Sequence, residues 1–361
     1  MKRIALVGLC FLLFTCAAWA EETNWYEMIS LYGLVDARAG YRTTSFETDG
    51  LDDMQVSDIY LYGAGLGAEA VLNEYLSGNI FFYFEEGFAD DYMDTYLDEA
   101  TITLSHKGAF FEAGKKYLPV GFNETYAVSD PLVLKLTETW KTTMGLGYAM
   151  EYFGVSAWAF NGDYDNVNED GEPADNTVDG YAARLDVYPL AFQDTHTMAL
   201  GGYILSDATE TSLEMGNRLV GNYENDVPLY GGYLNAEFIF SDFAGMGLIG
   251  ELATTGAFDK KNYLDYTGEE TGITAVNVEA AALLLGGTIQ FGPKYASISG
   301  LDWLGTQGND PEYEVTLFRQ MGGFAGYDPW AQLHLGLEVM SGGDNEDNRQ
   351  VSTFFQTCVE F

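Results

Sequence analysis

Cysteine is nearly missing from this chain: three in 361 residues, with Cys10 and Cys16 inside the first twenty. Loss of that segment leaves Cys358 alone, which excludes an intramolecular disulfide framework. Basic residues are also short, at 16 Lys and Arg against 55 Asp and Glu, for a net charge of −39. That balance excludes nucleic acid as a partner, because no cationic excess exists to displace phosphate counterions. His106, His196 and His334 are the only histidines, they lie on separate segments, and no H-x-x-H or C-x-x-C pair could hold zinc. Carboxylate pairs are too abundant to single out acid–base chemistry. The sequence therefore calls for no catalytic residue, no metal and no cofactor. No apolar run beyond the N-terminus approaches the ~20 residues of a membrane-spanning helix. Helical periodicity is scarce and proline is limited to eight residues, whereas glycine reaches 42 and tyrosine 25. With 47% hydrophobic residues the chain is not disordered, and its composition favours strands.

The first twenty residues are expected to be an address. Met1-Lys2-Arg3 is a positive start, Ile4 to Thr15 an apolar stretch, and Ala18-Trp19-Ala20 a small-residue cleavage site before Glu21. Residues 1–20 are thus a secretory signal peptide, and 21–361 the mature chain.

Alternation dominates the mature chain. In 29–41, Ile29, Leu31, Val35, Ala37, Ala39 and Tyr41 share one parity, against Ser30, Asp36, Arg38 and Gly40. Residues 96–105 set Tyr96, Ala100, Ile102 and Leu104 against Glu99, Thr101, Thr103 and Ser105, and 330–339 set four aliphatics against Gln332, His334, Gly336 and Glu338. Strands of ~9–11 residues with one apolar face and one charged or glycine-bearing face are the pattern of a transmembrane barrel. The spacing predicts sixteen strands, near 28–41, 58–72, 75–85, 96–105, 109–118, 142–151, 153–161, 180–189, 195–206, 229–240, 245–255, 278–291, 295–304, 312–321, 330–340 and 350–361. Connections between them mostly alternate between long and short, with Asn73-Glu74, His106-Lys107-Gly108, Gly292-Pro293-Lys294 and Gly322 to Pro329 among the short ones. Long loops outside and short turns in the periplasm belong to an all-β outer-membrane barrel. Phe361 ends an alternating final strand with Val359 and Phe355 on its parity, a pattern that resembles the signal read by the barrel assembly machinery.

Parity then assigns the lumen. Asp36, Arg38, Glu69, Glu99, Glu112, Lys116, Arg184, Asp186, Glu237, Glu251, Asp302, Glu314, His334 and Glu338 face inward, and the excess of carboxylates predicts cation preference. An ion pair such as Arg38 with Glu69 is the plainer role for any one of them. Arg319 shares parity with Val315 and Leu317 and is expected to snorkel at the periplasmic end of its strand. The third long loop, 119–141, carries its own apolar residues (Val120, Phe122, Tyr126, Val128, Leu132, Leu134, Leu136 and Trp140), so it should pack on something. Folded inward it would narrow the channel, with Asn123, Glu124, Asp130, Lys135 and Glu138 at the constriction; packing on the rim or on a neighbouring subunit is the alternative.

Other motifs carry little. Gly245-Met246-Gly247-Leu248-Ile249-Gly250 satisfies G-x-G-x-x-G but reads as strand where a nucleotide site needs a helix. The acidic run Asn166 to Gly171 opens like a calcium loop, yet its closing position, 177, is Thr.

One stretch resembles a known family. Asp98-Glu99-Ala100-Thr101-Ile102-Thr103-Leu104, Gly114-Lys115-Lys116-Tyr117-Leu118-Pro119-Val120-Gly121, Ser129-Asp130-Pro131-Leu132 and Glu138-Thr139 look like LbtU-type siderophore porins. The resemblance implies an outer-membrane barrel that takes up ferric siderophore without a plug domain; the extreme acidity is a departure, because it disfavours an anionic chelate. Three classes of function are open: a porin biased toward iron chelates or similar small solutes, a general cation-preferring diffusion porin, and a closed barrel with an enzymatic or adhesive role. Outer-membrane lipid surrounds any of them, and a homo-trimer is an assembly common to porins of this size.

Overall fold

A chain with an apolar residue at every second position can satisfy its backbone in lipid only by pairing strand to strand until the edges meet. The computed structural model describes residues 28–46, 53–88, 93–122, 124–161, 178–189, 196–211, 227–258, 271–300, 319–343 and 348–361. They form sixteen strands: β1 (Ile29–Ser45), β2 (Met54–Asn73), β3 (Leu76–Glu86), β4 (Met93–His106), β5 (Ala109–Tyr117), β6 (Trp140–Ala149), β7 (Phe153–Asn161), β8 (Val178–Val187), β9 (His196–Leu205), β10 (Leu229–Ser241), β11 (Ala244–Phe258), β12 (Thr271–Leu284), β13 (Ile289–Ser299), β14 (Arg319–Trp330), β15 (Leu333–Gly343) and β16 (Arg349–Glu360). Each pairs antiparallel with its sequence neighbours, and β16 pairs with β1, so the sheet is a closed barrel. At the seam, Phe361 and Gly33 exchange both backbone hydrogen bonds, at 2.8 and 3.0 Å. The proposed leader, the calcium-like run at 166–171, Asp302 and Glu314 lie outside the described residues.

The outer face is apolar and ringed by aromatics. Leu31, Ile59, Leu146 and Met321 are more than half exposed along it. Tyr75, Tyr152, Phe240, Phe243 and Trp330 stand at the end with the short turns, and Tyr41, Tyr181 and Tyr230 toward the other. An apolar band between two aromatic girdles is the lipid-facing surface of an outer-membrane barrel.

Short turns obey local chemistry. Lys107 (φ 49°) and Gly108 (φ 87°) join β4 to β5 with two consecutive positive φ values, the geometry that matches strand twist in a two-residue hairpin. The turn from β12 to β13 is Leu285 to Thr288, with Leu285, Gly286 and Gly287 all at positive φ. This corrects the predicted frame: Gly292-Pro293-Lys294 is not a turn but lies inside β13, facing Gly322 to Phe324 of β14. Proline has no N–H to give, and the β12–β13 partners pass directly from Glu279–Lys294 to Ala282–Phe291 around it. The predicted turn at Gly322 to Pro329 is likewise strand, and the reversal falls at Ala331-Gln332. Arg319 therefore begins β14 at the extracellular end, opposite to the expected position.

Two bulges redirect side chains. Asp36 faces Gly63 while Ala37 faces Leu61, so Tyr62 is an extra residue in β2. Phe81 faces Glu99 while Phe82 faces Leu97, so Asp98 is extra in β4. The second bulge moves Tyr96 off the lipid parity: its hydroxyl donates to Glu85 at 2.8 Å, and its ring meets Tyr83 edge-on.

Candidate functional site

Residues 118–139 connect β5 to β6 and contain one short helix, α1 (Leu134–Thr137). A segment with this much apolar content must find cover. Leu118, Val120, Leu132, Val133 and Leu136 are buried in one cluster with Trp158 and Phe160 of β7, Tyr203 and Leu205 of β9, Leu229 of β10, Ile273 and Ala275 of β12, and Ala296 and Ile298 of β13. Farther round, Tyr126 stacks on Phe324 of β14 at 5.9 Å. One connection touching so many consecutive strands of a closed barrel does so from inside.

Polar side chains of the wall then hold its backbone. Arg184 donates from Nη1 to the Gly121 carbonyl at 2.9 Å, from Nη2 to Tyr233 Oη at 2.8 Å, and from Nε to Asp186 at 2.7 Å. Phe122 stacks on the Tyr233 ring at 4.5 Å, and its N–H donates to Glu251 at 2.9 Å. Glu279 accepts from Thr125 Oγ1 at 2.6 Å and the Tyr126 N–H at 2.7 Å; Glu338 accepts from the Ser129 N–H at 2.6 Å and its hydroxyl at 2.8 Å. Lys294 is fully buried, gives a 2.5 Å hydrogen bond to the Ser129 carbonyl, and lies 3.7 Å from Glu338 and 3.9 Å from Glu279. Carboxylates here take the place of the β-ladder that the loop backbone lacks.

The segment crosses to the opposite wall at one point, where Asp130 accepts from Tyr62 Oη at 3.0 Å. Beyond it, the inner faces of β16 and β1–β5 carry polar and aromatic groups. Arg38 lies over the Tyr62 ring at 3.3 Å and pairs with Asp36 at 2.9 Å, so its partner is Asp36 and not Glu69. Gln356 of β16 donates to the same Asp36 oxygen at 2.7 Å. Glu69, Glu99 and Lys116 line one cavity nearer the periplasmic end, with Lys116 bonded to Glu112 at 2.5 Å.

The sequence-predicted residues thus separate into two groups. Glu251, Glu338, Arg184 and Asp186 hold the loop or the residues under it, while Asp36, Arg38, Glu69, Glu99 and Lys116 line the wall opposite, with Asp130 facing them from the loop. Glu124 is exposed, with Asn235 at 3.4 Å. Partial desolvation beside the wall, together with the nearby Glu237, nonetheless pushes its carboxyl above the usual carboxylate range, against the opposing pull of Arg184. Lys135 is exposed on α1, and Glu138 is half-buried at its end. Asn123 lies outside the described residues. Sequence reasoning missed Glu279 and Lys294. Both were visible as lone charges in apolar or Gly-Pro surroundings, where a barrel strand has no other reason for them.

No family model matches the chain, and no curated protein matches it. Among solved structures it is similar to the outer-membrane channel DcaP of Acinetobacter baumannii, at 12% identity and a TM-score of 0.61 over 92% of this chain and 97% of that one. An anion-selective porin from Comamonas acidovorans is similar at 12% identity and 0.58, covering 92% and 99%. OmpF of Salmonella typhi, in complex with daunomycin, is similar at 11% identity and 0.58, covering 92% and 97%. At such identities the likeness concerns the fold, and together with the closed sheet and its apolar girdled exterior it makes this chain a sixteen-stranded outer-membrane barrel of porin architecture.

Proposed function

We propose that the protein is a passive outer-membrane porin for small solutes, with a preference for cations and a channel narrowed by the 119–141 loop. The observation that carries this reading is the asymmetry of the interior. The loop and its apolar cluster take the β7–β15 side, and the remaining passage runs along β16 and β1–β5, where Asp36, Glu69, Glu85, Glu99, Glu112 and Asp130 outnumber Arg38, Arg42 and Lys116. A closed barrel would have no need to hold a loop to one side by buried charges. Purified protein in planar bilayers should give stepwise conductance in KCl; a silent barrel under all voltages would remove the reading.

Ferric siderophore, the cargo implied by the motif around 95–140, is a narrower form of the same function. The residues that carry the motif have local work in this fold: Gly114, at φ 147°, has no room for a Cβ beside the Ala100 carbonyl, and Asp130-Pro131 shapes the crossing to Tyr62. General diffusion is therefore the reading supported best, and an anionic chelate fits the acidic wall poorly. A homo-trimer in outer-membrane lipid, with Phe361 presented to the assembly machinery during insertion and residues 1–20 removed beforehand, completes the proposal.

A further inference from the structure

The inner wall holds a guanidinium between a tyrosine and a carboxylate at two places. Arg38 lies 3.3 Å from the centre of the Tyr62 ring and pairs with Asp36; Arg184 lies 4.8 Å from the Tyr233 ring and bonds Asp186. In each, a tyrosine ring and a carboxylate of the lumen face meet one planar cation, the geometry for which arginine is suited. A cavity of about 320 Å³ on β1–β5, nearer the periplasmic end, offers the same components without an arginine: Tyr32, Glu69, Asn79, Glu99, Glu112 and Lys116 are among its lining residues.

Charge balance sets what the cavity favours. Several of its donors are engaged within it: the Tyr32 hydroxyl gives to Asn79 Oδ1 at 2.6 Å, Asn79 Nδ2 to Glu99 at 3.2 Å, and Lys116, its one cation, to Glu112 at 2.5 Å. What remains open is acceptor capacity on Glu69 and Glu99, beside a tyrosine ring stacked on Phe81 at 5.5 Å. A ligand that brings donors and positive charge complements this surplus of carboxylate best. Guanidinium has five N–H groups and no acceptor; a primary ammonium has three. An anion meets three carboxylates against one lysine already paired with one of them, and a neutral polyol brings no charge to offset that surplus.

We propose that this cavity is a binding subsite for permeating organic cations of the guanidinium and primary-amine class, a ligand completing the trio that Arg38 and Arg184 complete elsewhere. It rests on the open-channel reading above and gives that channel its solute class. The test is single-channel recording in 0.1 M KCl with agmatine, which carries one guanidinium and one ammonium, and with glucose and glutamate as comparisons. Agmatine should block the current saturably, while glucose and glutamate should not. The Glu69→Gln/Glu99→Gln double variant should weaken agmatine block by tenfold or more, since each lost charge-assisted contact is worth on the order of tenfold in affinity. Tyr32→Leu should weaken it as well and Tyr32→Phe much less, because the ring stays. Glu74→Gln, in the exposed β2–β3 turn, is the control that should leave block unchanged. Conductance steps without agmatine block, equal block by glucose, or block indifferent to both glutamates would overturn the subsite while leaving the porin standing. A barrel with no steps at all would overturn both.

Discussion

Lys294 shows what a single side chain does in this interior. It is fully buried between Glu279 and Glu338 and is bonded to the Ser129 carbonyl, so three elements depend on one ammonium. Removing one partner from a buried ion pair costs about 3–5 kcal/mol, because the other charges stay buried and uncompensated. Lys294→Met should therefore lower barrel stability by that order in urea titrations in detergent and should also free the loop, read as noisier single-channel current. Replacing all three charges with apolar residues of similar size should recover much of the stability but not the quiet current, because the Ser129 contacts would still be missing. Glu124 supplies a second residue-scale expectation. With its carboxyl held above the usual carboxylate range by partial desolvation and Glu237, it loses its charge at a higher pH than a free Glu. Its share of the cation selectivity should thus be lost at a pH above the ~4.3 of a free Glu. Glu124→Gln should remove that share of the pH dependence, as measured by zero-current potential across a pH series.

At the scale of elements, the loop between β5 and β6 is the piece with most to lose. Its aliphatic residues Leu132, Val133 and Leu136 are buried against the inner wall, and each such side chain is worth ~1.5–3 kcal/mol when fully buried. Exchanging 122–138 for a short Gly/Ser linker should raise single-channel conductance and lower the unfolding midpoint together, since the inner faces of β7–β13 would then meet water as Phe160, Leu229 and Ile273. Unchanged conductance would mean that the loop does not limit flow. The same burial explains what the sequence could and could not display. Strands β1 and β15 were legible because Leu31 and Val35, or Leu337 and Val339, face lipid while their neighbours face a polar lumen, giving full two-residue contrast. On β12 the contrast weakens: Ile273, Ala275, Ala281 and Leu283 are buried on the inner side, broken by Asn277 and Glu279, and Val278 is exposed on the outer, so apolar residues stand on both faces. Without that contrast Gly292-Pro293 looked like punctuation, and the frame slipped through β12, β13 and β14. The loop announced its need for cover through its own composition. Its anchors did not, because Phe122 with Glu251 and Ser129 with Glu338 are contacts across 129 and 209 residues, made to backbone N–H groups that every residue other than proline possesses.

For the whole molecule, the consequence of a net charge of −39 depends on where the acids sit. Glu251, Glu279 and Glu338 are neutralised in effect by the N–H groups, hydroxyls and Lys294 that they hold, so they contribute little to the field in the passage. Asp36 is similarly engaged by Arg38 and Gln356. The acids that act on a passing ion are then Glu69, Glu85, Glu99 and Asp130, set along one wall and the loop facing it, with Arg38, Arg42 and Lys116 among the opposing cations. A channel charged on one side concentrates cations within a Debye length, ~10 Å at 0.1 M salt and ~3 Å at 1 M. Zero-current potentials in a KCl gradient should accordingly report cation preference at low salt and lose most of it near 1 M. Glu69→Gln and Asp130→Asn together should reduce the low-salt preference more than Glu251→Gln and Glu338→Gln, even though both pairs remove two carboxylates. Equal losses from the two pairs would mean that the loop-holding glutamates are as open to the passage as the others, and the division of the interior into a filled side and a conducting side would have to be abandoned.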